Sequence, residues 1–382
     1  MRPTARGAGL LLSGLALAFL ATAMRSPVIA TLAALALMTP LVSVSWLIVR
    51  RAHGQQVSLR RQVTPVRPTA GDTVRVAPQI TSGTLDAWTS LRERIPGALH
   101  RGSTDASGYT LRPPMRGTYE LGPATLVHTD PLILARGRST ARGTDELLVW
   151  PVVADVSALV RLWADHQSVH TENGRPERAP DDLTLREYQP GDDMHRVHWR
   201  ASARHGELLT RQDEPAQDRT ASIVLDLGPA EDPRSDSPTE WLVSTTASLS
   251  VALIEAGYRL HLTLAWTVPG THTDGANPGD PERSGTVSLG DTGELLDLFA
   301  RARFGAPHPE PMHRGLAIAA LRSPTQETVR TLTTWTGNRL ALVVDGSPEV
   351  VERLADAGWV VHTVEAGTPA DETWSTLLGA MP

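Results

Sequence analysis

The run ASIVLDL, residues 221–227, is apolar except for Ser222 and Asp226 and too short for a helix. A strand of that composition is buried on both faces, as strands of a parallel sheet are. Further on, SPTE (237–240) supplies Ser237 as N-cap, Pro238 at the first helical position and Glu240 at the third, a capping box for the free helix-end amides. The helix that follows is expected to reach Ala256 and stop at Gly257. RLHLTLAW (259–266) then places Leu260, Leu262 and Leu264 on one strand face. RLALVVD (339–345), a helix from Pro348 to Ala357, WVVHTV (359–364) and a last helix entered through Thr368, Pro369 and Asp371 repeat the scheme. Strand and helix alternating in this way predict a doubly wound parallel sheet over residues 218–382. TVPGTHTDGANPGDPERSG (267–285) reads as a long Gly/Pro/Thr-rich insertion.

Upstream the signals change. From 55 to 150 the patterns are those of strands: DTVRVAPQI puts Val74, Val76 and Ile80 on one face, and GTYELGP sets Tyr119 and Leu121 together. Gly71-Asp72 and Gly117 punctuate turns, and a small β-sandwich-like domain is expected. Residues 151–217 hold a polar linker, DHQSVHTENGRPERAPDD (165–182), and then the densest polar motif of the chain.

The first 52 residues read as a membrane anchor. Ala8–Met24 and Val28–Val49 carry no charge, and a helix crossing the hydrocarbon needs roughly 17 to 25 such residues. Only Arg25, Ser26 and Pro27 separate them, so a tight hairpin inserted through residues 8–49 is expected, with Trp46 near an interface and Pro40 as a kink. Arg2 and Arg6 precede it and Arg50, Arg51, Arg60 and Arg61 follow, against Arg25 alone in the connection. The excess of Arg on the outer flanks puts both ends, and the bulk of the chain, on the cytoplasmic side of the plasma (inner) membrane. MRPTAR and Ala21-Thr22-Ala23 also fit a cleavable signal peptide, and in that case the second segment still spans.

Composition closes several function classes. The 382 residues hold no Cys, which removes disulfides, thiolate metal sites and Cys nucleophiles. Every basic residue besides His is Arg, so Schiff-base chemistry and the phosphate-binding P-loop Lys are absent. A net charge of -6 gives no global attraction for nucleic acid.

The motif is REYQPGDDMHRVHWRASAR, residues 186–204. Pro190-Gly191 is a turn, Asp192 stands where an N-cap carboxylate accepts free amides, and a helix is expected from Asp193 to His205, stopped by Gly206. On it Arg196, Arg200 and Arg204 form one stripe, while Trp199 and Ala203 share a neighbouring face. ELLTRQDE (207–214) follows as a strand. His195 and His198 with Asp192 or Asp193 suggest metal ligation, but without a fuller ligand set the spacing is weak. The carboxylates with His198 suggest acid–base chemistry, yet adjacent residues at a helix start diverge and no nucleophile is marked. The Arg stripe with Arg186 and Arg211 suits a phosphate or a partner's carboxylate. The structural alternative is a capped helix with a Trp anchor and Arg clamps.

These residues resemble the signature of the bacterial domain of unknown function 58 family, at Arg186, Tyr188, Pro190, Gly191, Asp192, Asp193, Arg196, Trp199, Ser202, Ala203 and Arg204. RGTYELGPATLVHTDPLILAR (116–136) and LLVWPVVADVSAL (147–159) are similar to further family elements. The resemblance implies a membrane-anchored cytoplasmic protein with a β-rich domain ahead of the motif and a von Willebrand factor A-like domain after it. It also implies work beside MoxR-type AAA+ ATPases and membrane protein partners, and it transfers no catalytic residue. In a metal-binding von Willebrand A site the first strand ends in Asp-x-Ser-x-Ser. Here Asp226 is followed by Gly228 and Ala230 where the hydroxyls belong, so a degenerate site without metal is expected. DPLIL also carries Ile133 where relatives commonly have Gly. The sequence thus points to a multi-domain, non-enzymatic membrane scaffold without cofactor. The alternatives are a hydrolase using Asp192, Asp193 and His198, and a metal-dependent adhesion module.

Overall fold

The computed structural model describes residues 2–53, 56–105, 107–164, 185–188, 199–211, 219–228, 237–267, 282–303, 307, 309 and 315–380. The chain divides into two compact units, Met1–Trp150 and Pro151–Pro382.

In the first unit β1 (Arg2–Pro3) leads into α1 (Ala5–Met24) and α2 (Pro27–His53). The Thr4 hydroxyl caps α1 by accepting from the Gly7 N–H at 3.2 Å, and the helix ends on Arg25 in the left-handed region at φ 47. Pro27 opens α2 where its missing N–H costs nothing, and the helix continues through Pro40. Gly7, Gly14 and Ala21 are buried, and a Cβ on Gly14 would lie 2.9 Å from the Leu37 side chain, so Gly14 lets the two helices approach closely. Both helices are long and apolar enough to cross a membrane, and large side chains such as Leu12, Phe19 and Leu35 are exposed along them. The chain therefore crosses the membrane twice, with the remainder cytoplasmic.

After the hairpin come β2 (Ser58–Thr64), β3 (Val74–Ser82), β4 (Thr89–Arg92), β5 (His100–Asp105), β6 (Gly108–Arg112), β7 (Gly117–Leu121), β8 (Thr125–Thr129), β9 (Ala135–Thr140) and β10 (Asp145–Val149). They form two four-stranded sheets, β1-β9-β8-β4 and β2-β3-β6-β5, and the pair β10-β7, all antiparallel. Alternation supplies the core: Val74 and Val76 of β3 pack with Tyr109, Leu111, Tyr119, Leu121, Leu147 and Val149. Ile80 shares the parity of Val74 and Val76 but is exposed, because β6 pairs with β3 only across Val74–Val76 and leaves the far end uncovered.

The second unit begins with α3 (157–164), then β11 (Leu185–Glu187), α4 (Trp199–His205), β12 (Leu209–Arg211) and β13 (Thr220–Asp226). It continues through α5 (Ser237–Glu255), β14 (Arg259–Thr267), β15 (Glu282–Leu289), α6 (Thr292–Arg301), β16 (Ala302–Arg303), β17 (Leu316–Arg322), α7 (Gln326–Leu332), β18 (Asn338–Val344), α8 (Pro348–Asp356), β19 (Val360–Thr363) and α9 (Ala370–Gly379). The large sheet has the order β15-β14-β13-β17-β18-β19, with β16 added beside β14. Its central strands are parallel, while β15 and β16 run antiparallel at the edge.

Both faces of the sheet are covered. Val224, Ala317, Ala319, Ala341 and Val343 pack on Val329 and Leu332 of α7, on Leu354 of α8, and on Trp335 and Trp359 in the turns that follow those helices. The alternate residues Ile223, Ile318 and Leu340 are equally buried, as strands covered on both sides require. The helix α5 is buried along most of its length, and its hydroxyls bond back to the preceding turn, as Thr246 does to the Leu242 carbonyl at 2.7 Å. It ends as expected at Gly257, φ 84, where the Gly257 N–H reaches the Ile254 carbonyl and the Tyr258 N–H the Leu253 carbonyl. Residues 282–285 of the Gly/Pro-rich insertion belong to β15.

Candidate functional site

The motif builds a small antiparallel ladder with a helix inserted between its strands. β11 pairs with β12 as Leu185↔Arg211, Arg186↔Thr210 and Glu187↔Leu209, and the Tyr188 N–H donates to the Leu208 carbonyl at 2.8 Å. Of the helix expected over 193–205 the described part is α4, seven residues long, stopped by Gly206 at φ 78 with its N–H on the Ser202 carbonyl. Ser202 is buried, and its hydroxyl accepts the Leu209 N–H at 2.9 Å, which pins the helix to β12. That contact lies on the inner side of α4. Trp199, Ala203 and Arg204 are all exposed, and Trp199 is 60 % exposed, so it is no buried anchor. Tyr188 is half-buried. Gly191, Asp192, Asp193, Arg196 and His198 lie outside the described residues, and for Arg186 and Arg211 only the backbone is described.

A second polar cluster stands at the carboxyl ends of β13, β17 and β18. This is where the chain order reverses across the sheet, since β13 has β14 on one side and β17 on the other, and α/β sheets open a crevice at such points. Asp226 is fully buried there, and its Oδ1 accepts the Gly228 N–H at 2.9 Å. Burial pushes its carboxyl above the ordinary carboxylate range, while the Gly228 N–H, the Thr328 hydroxyl and the Thr325 N–H pull the other way. Gly228 adopts φ 68, and a Cβ on it would meet the Arg322 carbonyl at 2.5 Å. The Arg322 guanidinium donates to the Thr239 hydroxyl of α5 at 2.7 Å and faces Asp345 at 3.6 Å. The cluster thus ties α5 and three strand ends together. Asp226 serves the turn after β13; Ala230 lies outside the described residues.

The sequence reading missed Arg322, Thr239, Thr325 and Thr328 because it passed over β17. The signal was present: GLAIAALR (315–322) is an apolar run closed by Ser323, Pro324 and the helix-capping Thr325.

Residues 184–271 match the family described as Protein of unknown function DUF58, a stretch running from β11 to β14 with one residue before it and four after. A DUF58 domain is present there. Residues of the chain are also 31 % identical, over 74 positions, to the uncharacterized protein YeaD of Bacillus subtilis (strain 168). That similarity covers 19 % of this chain, and the chain spans 17 % of the length of this curated relative. No solved structure matches the chain. The DUF58 match and the two spanning helices together describe a membrane-associated protein, and the matched stretch holds the motif ladder and the strands β13 and β14.

Proposed function

We propose that this chain is a non-enzymatic membrane scaffold whose α4 face recruits a cytoplasmic partner, with an AAA+ ATPase of the MoxR type as the partner class. The observation that carries the reading is Trp199: a large aromatic side chain held out to solvent on a helix whose inner side is fixed by the Ser202–Leu209 bond. Exposed Trp is costly to leave in water and is over-represented among the residues that dominate protein interfaces. The ATPase assignment rests on the family resemblance.

Two finer structural readings accompany it. The second unit is read as a von Willebrand factor A-like domain, supported by its parallel centre, its antiparallel edge strand and an Asp at the end of the central strand. Its cation site is read as lost, because Gly228 replaces a hydroxyl and donates its own N–H to the carboxylate that a metal would need. The strands of the first unit are read as a β-sandwich-like domain closed around Val74, Leu111, Leu121 and Leu147.

The test is affinity capture with the full chain from detergent-solubilised native membranes. Wild type is expected to retain an AAA+ ATPase, and Trp199→Ala to lower retention by about tenfold or more, as a central interface Trp does. Arg196→Ala is expected to weaken it less. Equal retention by all three chains, or no ATPase with any, sinks the proposal.

A further inference from the structure

One end of the sheet β1-β9-β8-β4 faces the mouth of the hairpin. The register places Thr89 beside His128, Thr129 beside Arg136, and Arg136 beside Arg2, so the start of β4, the end of β8 and the start of β9 finish at one level. The first turn of α1 is fastened to that level. The Thr4 N–H donates to the Leu134 carbonyl at 2.9 Å, the Thr4 hydroxyl to the Ile133 carbonyl at 2.6 Å, and Gly7 passes so close to the Leu134 carbonyl that no Cβ would fit.

Helix length then fixes the depth of this end. α1 has 20 residues, and at about 1.5 Å per residue it rises roughly 30 Å, the thickness of the hydrocarbon layer. It has no turn to spare, so Ala5 lies at the cytoplasmic boundary and the 130–134 turn bonded to Thr4 lies at the same height. The second helix gives the same level independently. Arg50, near the end of α2, stacks over Trp46 with 4.7 Å to the ring centroid and forms an ion pair with Asp86, in the turn that enters β4.

These two turns carry Trp88, Leu132 and Ile133, all exposed, with Leu132 at 57 %. Exposed Arg2, Arg6, Arg51 and Arg136 belong to the same end, Arg2 and Arg136 paired between β1 and β9, Arg6 in the first turn of α1 and Arg51 in the last turn of α2. The acidic groups of the two turns are engaged already: Asp86 with Arg50, and the buried Asp130 with the N–H groups of Leu132 and Ala135 at 3.0 and 2.6 Å. Apolar tips and Arg side chains at one end of the sheet, at the height of the lipid headgroups, make a surface of one definite chemistry.

We propose that this end of the sheet docks on the cytoplasmic leaflet, with Trp88, Leu132 and Ile133 set among the headgroups and the Arg side chains holding anionic phospholipid. Trp favours the headgroup layer, and guanidinium matches the phosphate fork. The β-rich unit is thereby seated on the bilayer surface as well as tethered to it.

The chain has no Cys, so single labels are clean. A nitroxide on Leu132→Cys is compared with one on Val66→Cys, which is 72 % exposed and lies two residues beyond the far end of β2. The full chain is reconstituted in vesicles of phosphatidylcholine with phosphatidylglycerol. The Leu132 label is expected to be shielded from a water-soluble nickel relaxant while the Val66 label stays open. Spin-labelled phosphatidylglycerol is expected to be selected over phosphatidylcholine, and Arg6→Gln/Arg51→Gln/Arg136→Gln to lower that selectivity by about fivefold or more. Equal nickel access at the two labels overturns the proposal, and so does a selectivity that the triple substitution leaves untouched.

Discussion

Arg61, on β2, and Asp226, at the end of β13, are both ionisable side chains withdrawn from water, and the two units treat them differently. The Arg61 guanidinium meets Glu93 at 2.9 Å, Asp145 at 3.2 Å and the Gly143 carbonyl at 3.0 Å, while its own N–H donates to Asp145 at 2.8 Å. For Asp226 the groups that offset burial are N–H and hydroxyl donors, from Gly228, Thr328 and Thr325, and its carboxyl is pushed up. A buried charge with counter-charges stays a charge and works as a clamp. A carboxyl surrounded by neutral donors is driven toward its protonated form. Tyr109, beside the Arg61 cluster, feels the same field: burial first, then Glu93, push its phenol up to about 12, with Arg61 opposing.

The sharpest way to break this contrast is to remove Arg61. Arg61→Ala strands Glu93 in the interior and is expected to cost about 3 to 5 kcal/mol, read as a lowered melting temperature of the full chain in detergent. Arg61→Met/Glu93→Leu removes both charges and is expected to recover a large part of that loss. If the double variant melts no higher than Arg61→Ala, the pair is not what holds β2 in place.

On the Asp226 side the largest effect belongs to Gly228→Ala. The left-handed φ of 68 costs an L-residue about 1 to 2 kcal/mol, and the new Cβ must also displace the Arg322 carbonyl. A loss of about 2 kcal/mol or more is expected. A variant as stable as wild type shows that the strand ends have room to move apart.

Asp226→Asn is a gentler probe, and its signature is pH. Burial raises the folded-state pKa above the ordinary 3.8, so as pH climbs the unfolded chain releases this proton first. The stability contribution of the protonated form is complete below about that ordinary value and is lost as pH rises through the raised folded-state pKa. Melting temperatures of wild type and Asp226→Asn are therefore expected to diverge with rising pH, the variant becoming the more stable. A gap that stays constant with pH contradicts the raised pKa.

What was readable in the sequence follows the range of the interactions. The hairpin is written in two uncharged runs, and the strands β13, β14 and β18 in local apolar patterns, because each needs only neighbours along the chain. Capping was equally local: Gly257 and Gly206 stop their helices as their positions require. Arg61 is different. Its partners lie 32 to 84 residues away, and an Arg in RRQV looks like any surface Arg until the sheets are assembled. The cluster around Arg322 hid for the same reason, compounded by an overlooked β17 that periodicity alone would have found. Trp199 misleads in the opposite direction, since a Trp on a helix beside Ala is most often core, and here the buried Ser202, bonded to β12, faces inward while Trp199 is exposed.

The smallest effect is expected at a second buried acid. Asp130, like Asp226, ends a strand and caps the turn after it, but both its oxygens are engaged by N–H groups. Inside that turn Ile133 sits at φ 59, a β-branched residue in a region that suits glycine. The Ile133 N–H on the Asp130 carbonyl and the Thr4 hydroxyl on the Ile133 carbonyl hold it there. Ile133→Gly relieves about 1 to 2 kcal/mol of left-handed strain and forfeits about 0.5 to 1 kcal/mol to the freer unfolded chain. A rise in stability of under about 1 kcal/mol is expected in detergent, where nothing rewards an exposed isoleucine. Measured in anionic vesicles, the same substitution is expected to be neutral or destabilising, because there the side chain is seated among headgroups. A gain of equal size in both media means that Ile133 is kept for no contact with lipid.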